Sequence, residues 1–289
     1  MKRIAALMLA LCLLISALPA LAETEEEPAW NDPPAGFDQR QEGVAYGTTV
    51  FKTYLSRTTG AFRKVLVILP PNYTPEKEYP VLYLLHGIGG DHSEWSNGRP
   101  DVIVGNLIAA GLAPEMIIVQ PNVRAQMNDA VNYSTMYSAE AIAAFDNFIN
   151  DLVNDLMPFM AQNFSVAEGR ENTAVAGLSM GGREALYIGL SLPETFGYIG
   201  AFCPAPGVLA YNVEGGLLTP EQMCVPEGLE TYILINTGDV DGTVGQWPYT
   251  YADALTATGT ENTFYVTAGG HDFTVWKHGL YNFALRIFD

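Results

Sequence analysis

Short apolar runs recur along this chain and alternate with segments of helical pattern. Most runs are continuously apolar, which is typical of strands covered on both faces. The predicted strands are Val65–Leu69, Val81–Leu85, Met116–Val119, Thr173–Ala176, Tyr198–Phe202, Tyr232–Ile235 and Phe264–Thr267. The predicted helices are Val102–Ala110, Ala139–Asn163, Arg183–Leu190 and Tyr251–Thr258, followed by a terminal helix that includes His278. This alternation predicts an α/β fold, with a largely parallel sheet between two layers of helices.

One edge of the sheet is expected to be antiparallel. The first two runs, Val65–Leu69 and Val81–Leu85, are joined through Pro70-Pro71-Asn72-Tyr73 and preceded by Thr48–Ser56. We predict that they form antiparallel strands there. In such sheets, functional groups collect at the carboxyl ends of the parallel strands.

The first 22 residues have the pattern of an export signal. Lys2 and Arg3 precede an apolar stretch that ends at Leu18, and an Ala-x-Ala sequence ends at Ala22. The apolar stretch is short for a membrane anchor. Cys12 suggests lipidation as an alternative, but it lies inside the apolar stretch, so cleavage after Ala22 is favoured. The sequence predicts a secreted protein, extracellular or periplasmic, without membrane attachment after cleavage.

Residues 23–43 are acidic, contain prolines and lack apolar periodicity. This composition favours a spacer or a loosely packed arm. Residues 44–289 contain no internal repeat and no long linker, so we predict that they form a single domain.

Net charge, cysteines and histidines indicate which partners, disulfides and metals to expect. The formal net charge is −18, and removing Lys2 and Arg3 with the signal makes it −20, which disfavours nucleic acid and anionic lipid. Cys203 and Cys224 remain after processing, and the sequence leaves open whether they pair or stay as buried thiols. No Cys/His cluster has zinc spacing, so no metal and no cofactor are predicted.

The strongest local signal is Gly177-Leu178-Ser179-Met180-Gly181, which stands between a predicted strand and a predicted helix. This is the nucleophile elbow of the α/β-hydrolase fold, in which a sharp turn exposes a serine at a helix N-terminus. Gly182 extends the motif. The context predicts that Ser179 is a nucleophile, and a Gly-rich connection is the less favoured interpretation.

A serine hydroxyl needs a general base, and four histidines are available. His86 and His92 lie near the second predicted strand, whereas His271 follows the last one and His278 lies on the terminal helix. In this fold the base follows the last strand, which favours His271 and leaves His278 as its nearest rival.

The acid that orients the histidine is expected after the strand Tyr232–Ile235. The loop Thr237-Gly238-Asp239-Val240-Asp241-Gly242 offers two carboxylates. A Gly-x-x-Asp spacing favours Asp241, and Asp239 would then form the turn.

An oxyanion hole completes the predicted machinery. One backbone N–H is expected from Met180, and a second from the loop His86-Gly87-Ile88-Gly89-Gly90. Ile88 is the favoured donor and Gly87 the next candidate. His86 is expected to tie this loop down through hydrogen bonds of its side chain.

Three segments resemble carbohydrate esterase family one, the feruloyl and acetylxylan esterases of the esterase D-like group. They are the elbow, the loop 86–90 and Gly270-His271-Asp272-Phe273-x-Val275-Trp276-Lys277-x-Gly279-Leu280-Tyr281-Asn282-Phe283. The resemblance is greatest to the feruloyl esterase domains of bacterial xylan-degrading enzymes, and it spans roughly residues 65–283. It implies a catalytic triad of Ser179, Asp241 and His271, and a substrate class of hydroxycinnamoyl or acetyl esters on arabinoxylan.

Several residues are candidates for substrate contact, and each could equally be a packed side chain. They are Trp276, Asn122, Tyr133 and Tyr137. Arg183 and Glu184, directly after the elbow, depart from the family pattern, and the segment Val123–Tyr137 matches none, so the acyl preference stays open. We therefore expect a serine esterase with a plant cell-wall polysaccharide or oligosaccharide ester as its partner. Acetyl ester hydrolysis, acyl transfer to a sugar, and a polysaccharide-binding pseudoenzyme remain as alternatives.

Overall fold

The computed structural model describes residues 29–211 and 215–288. The predicted signal peptide and residues 23–28 of the acidic arm lie outside them. The strands are β1 Thr48–Ser56, β2 Ala61–Leu69, β3 Val81–Leu85, β4 Ile117–Pro121, β5 Thr173–Leu178, β6 Tyr198–Phe202, β7 Tyr232–Gly238 and β8 Thr263–Thr267. The α-helices are α1 Pro100–Ala109, α2 Ala139–Asp146, α3 Phe148–Asp151, α4 Met157–Asn163, α5 Met180–Ser191, α6 Trp247–Ala257 and α7 Phe273–Ala284.

The eight strands form one sheet in the order β1-β2-β4-β3-β5-β6-β7-β8. β1 and β2 are antiparallel, and β2 also pairs antiparallel with β4. From β4 to β8 all pairs are parallel. The predicted α/β fold with a largely parallel sheet is therefore confirmed.

The prediction that Val81–Leu85 belongs to the antiparallel edge is wrong. This strand, β3, lies in the interior of the sheet, parallel to both β4 and β5. All five of its residues are buried, as expected for a strand with neighbours on both sides and helices on both faces. The hairpin partner of β2 is the preceding strand β1, and its register runs from Thr48 opposite Leu69 to Ser56 opposite Ala61.

The sheet separates two main cores because side chains alternate along each strand. In β5, Ala174 and Ala176 face the core that includes residues of α1 and α7. Val175 faces the opposite core, which includes residues of α2, α3, α4 and α5. Because β4 to β8 run in the same direction, the loops that follow their carboxyl ends lie together at one edge of the sheet.

The predicted helix Ala139–Asn163 is interrupted. A π-helical turn, Leu152–Leu156, separates α3 from α4. Pro158 is near the start of α4 and has no backbone N–H with which to bond the preceding turn. A wider turn before a proline relieves the clash of its ring with the preceding carbonyl groups.

The described part of the acidic arm is packed, which corrects the expectation of a spacer or loose arm for that part. Trp30 stacks on Tyr265 with ring centroids 4.8 Å apart. The backbone N–H of Asn31 donates to Asn282 of α7 over 2.7 Å. Asp38 pairs with Lys277 of the same helix. An aromatic ring, an amide and a carboxylate supply these contacts, and such groups carry no periodic signal in so short a segment.

Two further findings concern the cysteines and the helices. Cys203 and Cys224 are both free thiols, so the structure contains no disulfide between them. Within residues 29–211 and 215–288, no helix combines the length and the apolar character that crossing a bilayer requires.

Candidate active site

Ser179 occupies the sharp turn between β5 and α5. Its backbone has φ 55° and ψ −117°, a conformation that L-residues rarely adopt. The turn is possible because the chain passes very close to itself. A Cβ on Gly177 or on Gly181 would lie 2.4 Å from backbone atoms of Gly181 or Leu85, respectively. The strained turn places the Ser179 side chain at the N-terminus of α5, as the elbow motif predicts.

Three side chains from separate loops meet above the carboxyl ends of the strands. His271 Nε2 lies 2.9 Å from Ser179 Oγ, and His271 Nδ1 lies 2.8 Å from Asp241 Oδ2. Ser179 follows β5, Asp241 follows β7 and His271 follows β8. Both ring nitrogens of the histidine are therefore engaged, one by a hydroxyl that it can deprotonate and one by a carboxylate that can stabilise its cation.

The Asp241 carboxylate is buried but well supplied with donors. Its Oδ1 accepts hydrogen bonds from the backbone N–H groups of Thr243 and Val244. Burial alone would raise the pKa of Asp241, but the hydrogen bond and charge of His271, together with the Cys203 thiol and Val244 N–H, hold that pKa below its usual value. Burial and the neighbouring carboxylate raise the pKa of the Cys203 thiol. Asp241 is thus held as the anion beside the imidazole.

The alternative acid, Asp239, has a different role. Its Oδ1 accepts a hydrogen bond from the backbone N–H of Gly269 over 2.9 Å, which links the loop after β7 to the loop that carries His271. His278, the rival base, contacts Tyr265 and Asn282 and is not among the described residues that line the cavity beside Ser179. The structure thus brings Asp241 and His271, not Asp239 and His278, to Ser179.

The loop after β3 presents a free N–H group beside Ser179. Gly87 N–H donates to Glu94 Oε2 over 2.7 Å, so it is already engaged. Among the described residues, no hydrogen bond uses the N–H of Ile88, which lines the same cavity as Ser179 and Met180. This arrangement leaves Ile88 and Met180 as the candidate pair of oxyanion donors.

His86 fixes the orientation of the Ile88 N–H. Its Nδ1 lies 2.7 Å from the carbonyl oxygen of Gly87, and its Nε2 accepts a hydrogen bond from Val123 N–H over 2.8 Å. The Gly87 carbonyl and the Ile88 N–H belong to one planar peptide unit, so holding the first directs the second. Burial lowers the pKa of His86 to about 4, and the ring is therefore neutral near pH 7.

The depressed pKa of His86 predicts a pH dependence of stability. The folded value of about 4 lies below the value of 6.5 for a free histidine, so stability is lost as the pH falls from 6.5 towards 4. Between pH 7 and pH 4.5, we expect the wild-type protein to lose about 2 kcal/mol more unfolding free energy than His86→Gln. Urea unfolding at both pH values measures this difference, and an equal loss in the two proteins would contradict it.

Arg124 braces the same loop from a second direction. Its Nη2 donates to the carbonyl oxygens of Ile88 and Gly90 over 2.9 and 3.0 Å. Asn122 is buried. Its Oδ1 accepts a hydrogen bond from Arg124 N–H, and its Nδ2 donates one to the carbonyl oxygen of Asp129. Asn122, a predicted substrate contact, therefore helps to position Arg124, and it is not among the described residues that line the cavity.

A cavity of about 440 Å³ opens beside Ser179. Its apolar walls are formed by Ile88, Ile142, Leu178, Met180, Ala205, Pro206, Val244 and Trp276, and its polar or charged lining includes Glu94, Tyr137, Arg183, Tyr211 and His271. Of the predicted substrate contacts, Tyr137 and Trp276 line this cavity. Tyr133 is 71% exposed and lies beside Gly89, outside the lining. Trp276 also packs edge-on against His271, with ring centroids 5.1 Å apart.

Three residues of the site were not singled out by the sequence analysis for the parts they play. Glu94 accepts the Gly87 N–H, Arg124 holds the Ile88 carbonyl, and Cys203 faces Asp241. Arg124 and Cys203 act on segments that are distant in sequence, so no local spacing marks them. The one available signal is a Glu seven residues after a Gly-rich loop, and that pattern is too common to carry an assignment.

Comparisons with known proteins identify the family of this chain. The family described as "Putative esterase" matches residues 56–222. An endo-1,4-β-xylanase/feruloyl esterase of Xylanibacter ruminicola is 30% identical over 257 residues, which cover 86% of this chain. The match covers 32% of that relative, so this chain spans about a third of its length.

Solved structures share the fold. A CE1 ferulic acid esterase of Anaeromyces mucronatus, in complex with ferulic acid, is 37% identical with a TM-score of 0.82, covering 89% of this chain and 96% of that one. The feruloyl esterase module of Clostridium thermocellum, complexed with sinapinate, is 19% identical with a TM-score of 0.69, covering 90% and 93%, and supports the fold alone. The sequence match and the closely similar structure together show that this chain belongs to the esterase family and, within it, to the carbohydrate esterase family one (CE1) feruloyl esterases of α/β-hydrolase fold.

Proposed function

We propose that this protein is a secreted serine esterase that hydrolyses feruloyl esters on plant cell-wall arabinoxylan through an acyl-enzyme. The observation that carries the proposal is the hydrogen-bonded series Ser179–His271–Asp241, whose serine and histidine line a largely apolar cavity. Family membership makes the chain a carboxylic ester hydrolase. Secretion is part of the proposal and rests on the export pattern of residues 1–22.

In the first step His271 Nε2 takes the Ser179 proton while Ser179 Oγ attacks the ester carbonyl. The negative charge that develops on the carbonyl oxygen is stabilised by the N–H groups of Met180 and Ile88. Asp241 stabilises the imidazolium. The bond to the sugar oxygen then breaks, and His271 gives its proton to the leaving alcohol.

In the second step water replaces the alcohol. His271 takes a proton from water, and the resulting hydroxide attacks the acyl carbonyl at the same oxyanion site. The bond from the acyl carbon to Ser179 Oγ breaks, the serine recovers its proton from His271, and the free acid leaves. The reaction consumes one water and needs no further reactant.

The size and character of the cavity favour an aromatic acyl group over acetyl. A volume of about 440 Å³ far exceeds the needs of a two-carbon acyl group, and aliphatic and aromatic side chains suit a flat ring. The solved relative from Anaeromyces mucronatus was captured with ferulic acid. Acetyl ester hydrolysis and acyl transfer to a sugar use the same acyl-enzyme chemistry and stay as alternatives.

The test is release of ferulate, compared with acetate, from feruloylated and acetylated arabinoxylan fragments. We expect the mature chain to release free ferulate at a rate well above that of acetate, with none released by Ser179→Ala. Acetate as the main product would shift the assignment to acetylxylan esterase, and feruloylated acceptor sugar would shift it to acyltransferase. Binding of the fragments without any product would favour a polysaccharide-binding pseudoenzyme.

A further inference from the structure

Arg183 is a charged side chain built into the wall of the Ser179 cavity. It stands one helical turn after Ser179 in α5, and its backbone N–H donates to the Ser179 carbonyl over 3.0 Å. Side chains on a helix lean towards its N-terminus, which directs Arg183 back towards the elbow. The residue is only 4% exposed and nevertheless lines the cavity.

The segment Ala205-Pro206-Gly207 connects Ser179 to the Arg183 guanidinium. Ala205 N–H donates to the Ser179 carbonyl over 3.0 Å, and Ala205 and Pro206 both line the cavity. Gly207 has φ +111°, and a Cβ there would lie 2.9 Å from Arg183 Nε. The absence of a side chain at Gly207 lets the guanidinium lie against the backbone. An apolar wall therefore runs from the serine to the cation.

Protein acceptors engage only some of the N–H groups of the Arg183 guanidinium. Nη1 donates to Asp146 Oδ1 over 2.5 Å and also to Glu184 Oε1. Among the described residues, no hydrogen bond uses Nε or Nη2 of Arg183. A guanidinium carries five N–H groups, so donors remain for a ligand in the cavity.

The charges around Arg183 restrict what such a ligand can be. Asp146 and Glu184 both face the guanidinium, and burial raises the pKa of Glu184 to about 7. With Asp146 ionised, the cluster has a formal charge of zero when Glu184 is protonated and −1 when it is not. Neither state attracts an anion strongly, so an uncharged oxygen that accepts a hydrogen bond fits better than a carboxylate.

We propose that Arg183 determines acyl specificity by donating a hydrogen bond to an uncharged oxygen on the aromatic ring of the acyl group. The inference rests on the proposed function, since it assigns one end of the acyl cavity. The ring lies between Ser179 and the guanidinium, along the wall formed by Ala205 and Pro206. A site built to bond a ring oxygen disfavours the analogue that lacks it, because the buried donor is then left unpaired.

The experiment compares methyl p-coumarate with methyl cinnamate, which differ by one ring hydroxyl. We expect the wild-type protein to show at least a tenfold higher kcat/KM for methyl p-coumarate. In Arg183→Met, which removes the donors and keeps an unbranched stem only as far as the position of Nε, that ratio should fall to within about threefold of one. The ratio is informative even if the variant has a lower overall rate.

The matched control is Glu184→Gln, which keeps the acceptor for Nη1 and all donors of Arg183, and we expect it to keep a ratio above ten. If Arg183→Met does not fold, the double variant Arg183→Met/Glu184→Leu removes the buried carboxylate left unpaired, and its ratio is measured instead. A wild-type ratio near one, or a ratio that survives loss of Arg183, overturns the inference while leaving the esterase function intact. Failure of the wild-type protein to hydrolyse either ester would instead overturn the proposed function.

Discussion

Replacing Ser179 with alanine is expected to lower kcat for methyl ferulate by about 10⁵- to 10⁶-fold, the scale of loss seen when the nucleophile of a serine hydrolase is removed. The hydroxyl that His271 Nε2 contacts over 2.9 Å disappears, and no acyl-enzyme can form at this position. Steady-state assays that follow ferulate release at saturating ester measure the effect.

Ser191→Ala provides the matched control for this change. Ser191 is an exposed serine at the end of the same helix, α5, far from the cavity lining. We expect it to retain wild-type kcat within a factor of two. A Ser179→Ala protein that kept more than about one-hundredth of wild-type activity would show that another group carries the reaction.

Replacing Asp241 with asparagine is expected to lower kcat by about 10⁴-fold with little change in structure. The amide is nearly isosteric, but it no longer stabilises the imidazolium and can hold His271 in the wrong tautomer. Steady-state rates across pH 5–9 measure the loss, and thermal unfolding checks that the fold persists.

Asp239→Asn separates the catalytic carboxylate from its neighbour. Within the described part of the chain, the Asp239 side chain accepts one hydrogen bond, from the backbone N–H of Gly269 in the histidine loop, so we expect a loss of less than tenfold. If Asp239→Asn proved as damaging as Asp241→Asn, or if Asp241→Asn remained nearly fully active, the assignment of the acid would be wrong.

The fold could be predicted from sequence to the extent that its signals are local. Continuous apolar runs mark β3 and β5 because both faces of these strands are covered. The position of β3 in the sheet was predicted wrongly, since pairing depends on contacts between distant segments. Its parallel partners begin at Ile117 and Thr173, and nothing in the sequence around Val81 specifies them.

The helical segment 139–163 shows a similar limit. Its apolar pattern predicts one helix, and the structure contains three with a π turn before Pro158. Pro158 marks the place of the π turn, whereas the apolar pattern gives no sign of it because Phe148, Leu152 and Leu156 stay buried through the turn.

In the candidate site too, residues with local sequence signals could be predicted and residues placed by loop packing could not. Ser179, Asp241 and His271 lie next to strand ends in a fixed chain order, so order and spacing favour them over Asp239 and His278, and the structure brings them within hydrogen-bond distance. Arg124 contacts the oxyanion loop from a distant segment, and Glu94 contacts it from seven residues away, and no specific motif marks either contact. Their positions depend on how two loops pack together, which is not a property of either loop alone.

The most direct test of the account is to trap the acyl-enzyme. Methyl ferulate is mixed with the wild-type protein, the reaction is quenched with acid during turnover, and tryptic peptides are analysed by mass spectrometry. We predict that the peptide 171–183, which contains Ser179, gains the mass of one feruloyl group, and that the same peptide from Ser179→Ala gains nothing. Ferulate release with no label on this peptide, or with a label on another residue, would contradict the assignment of Ser179 as the nucleophile.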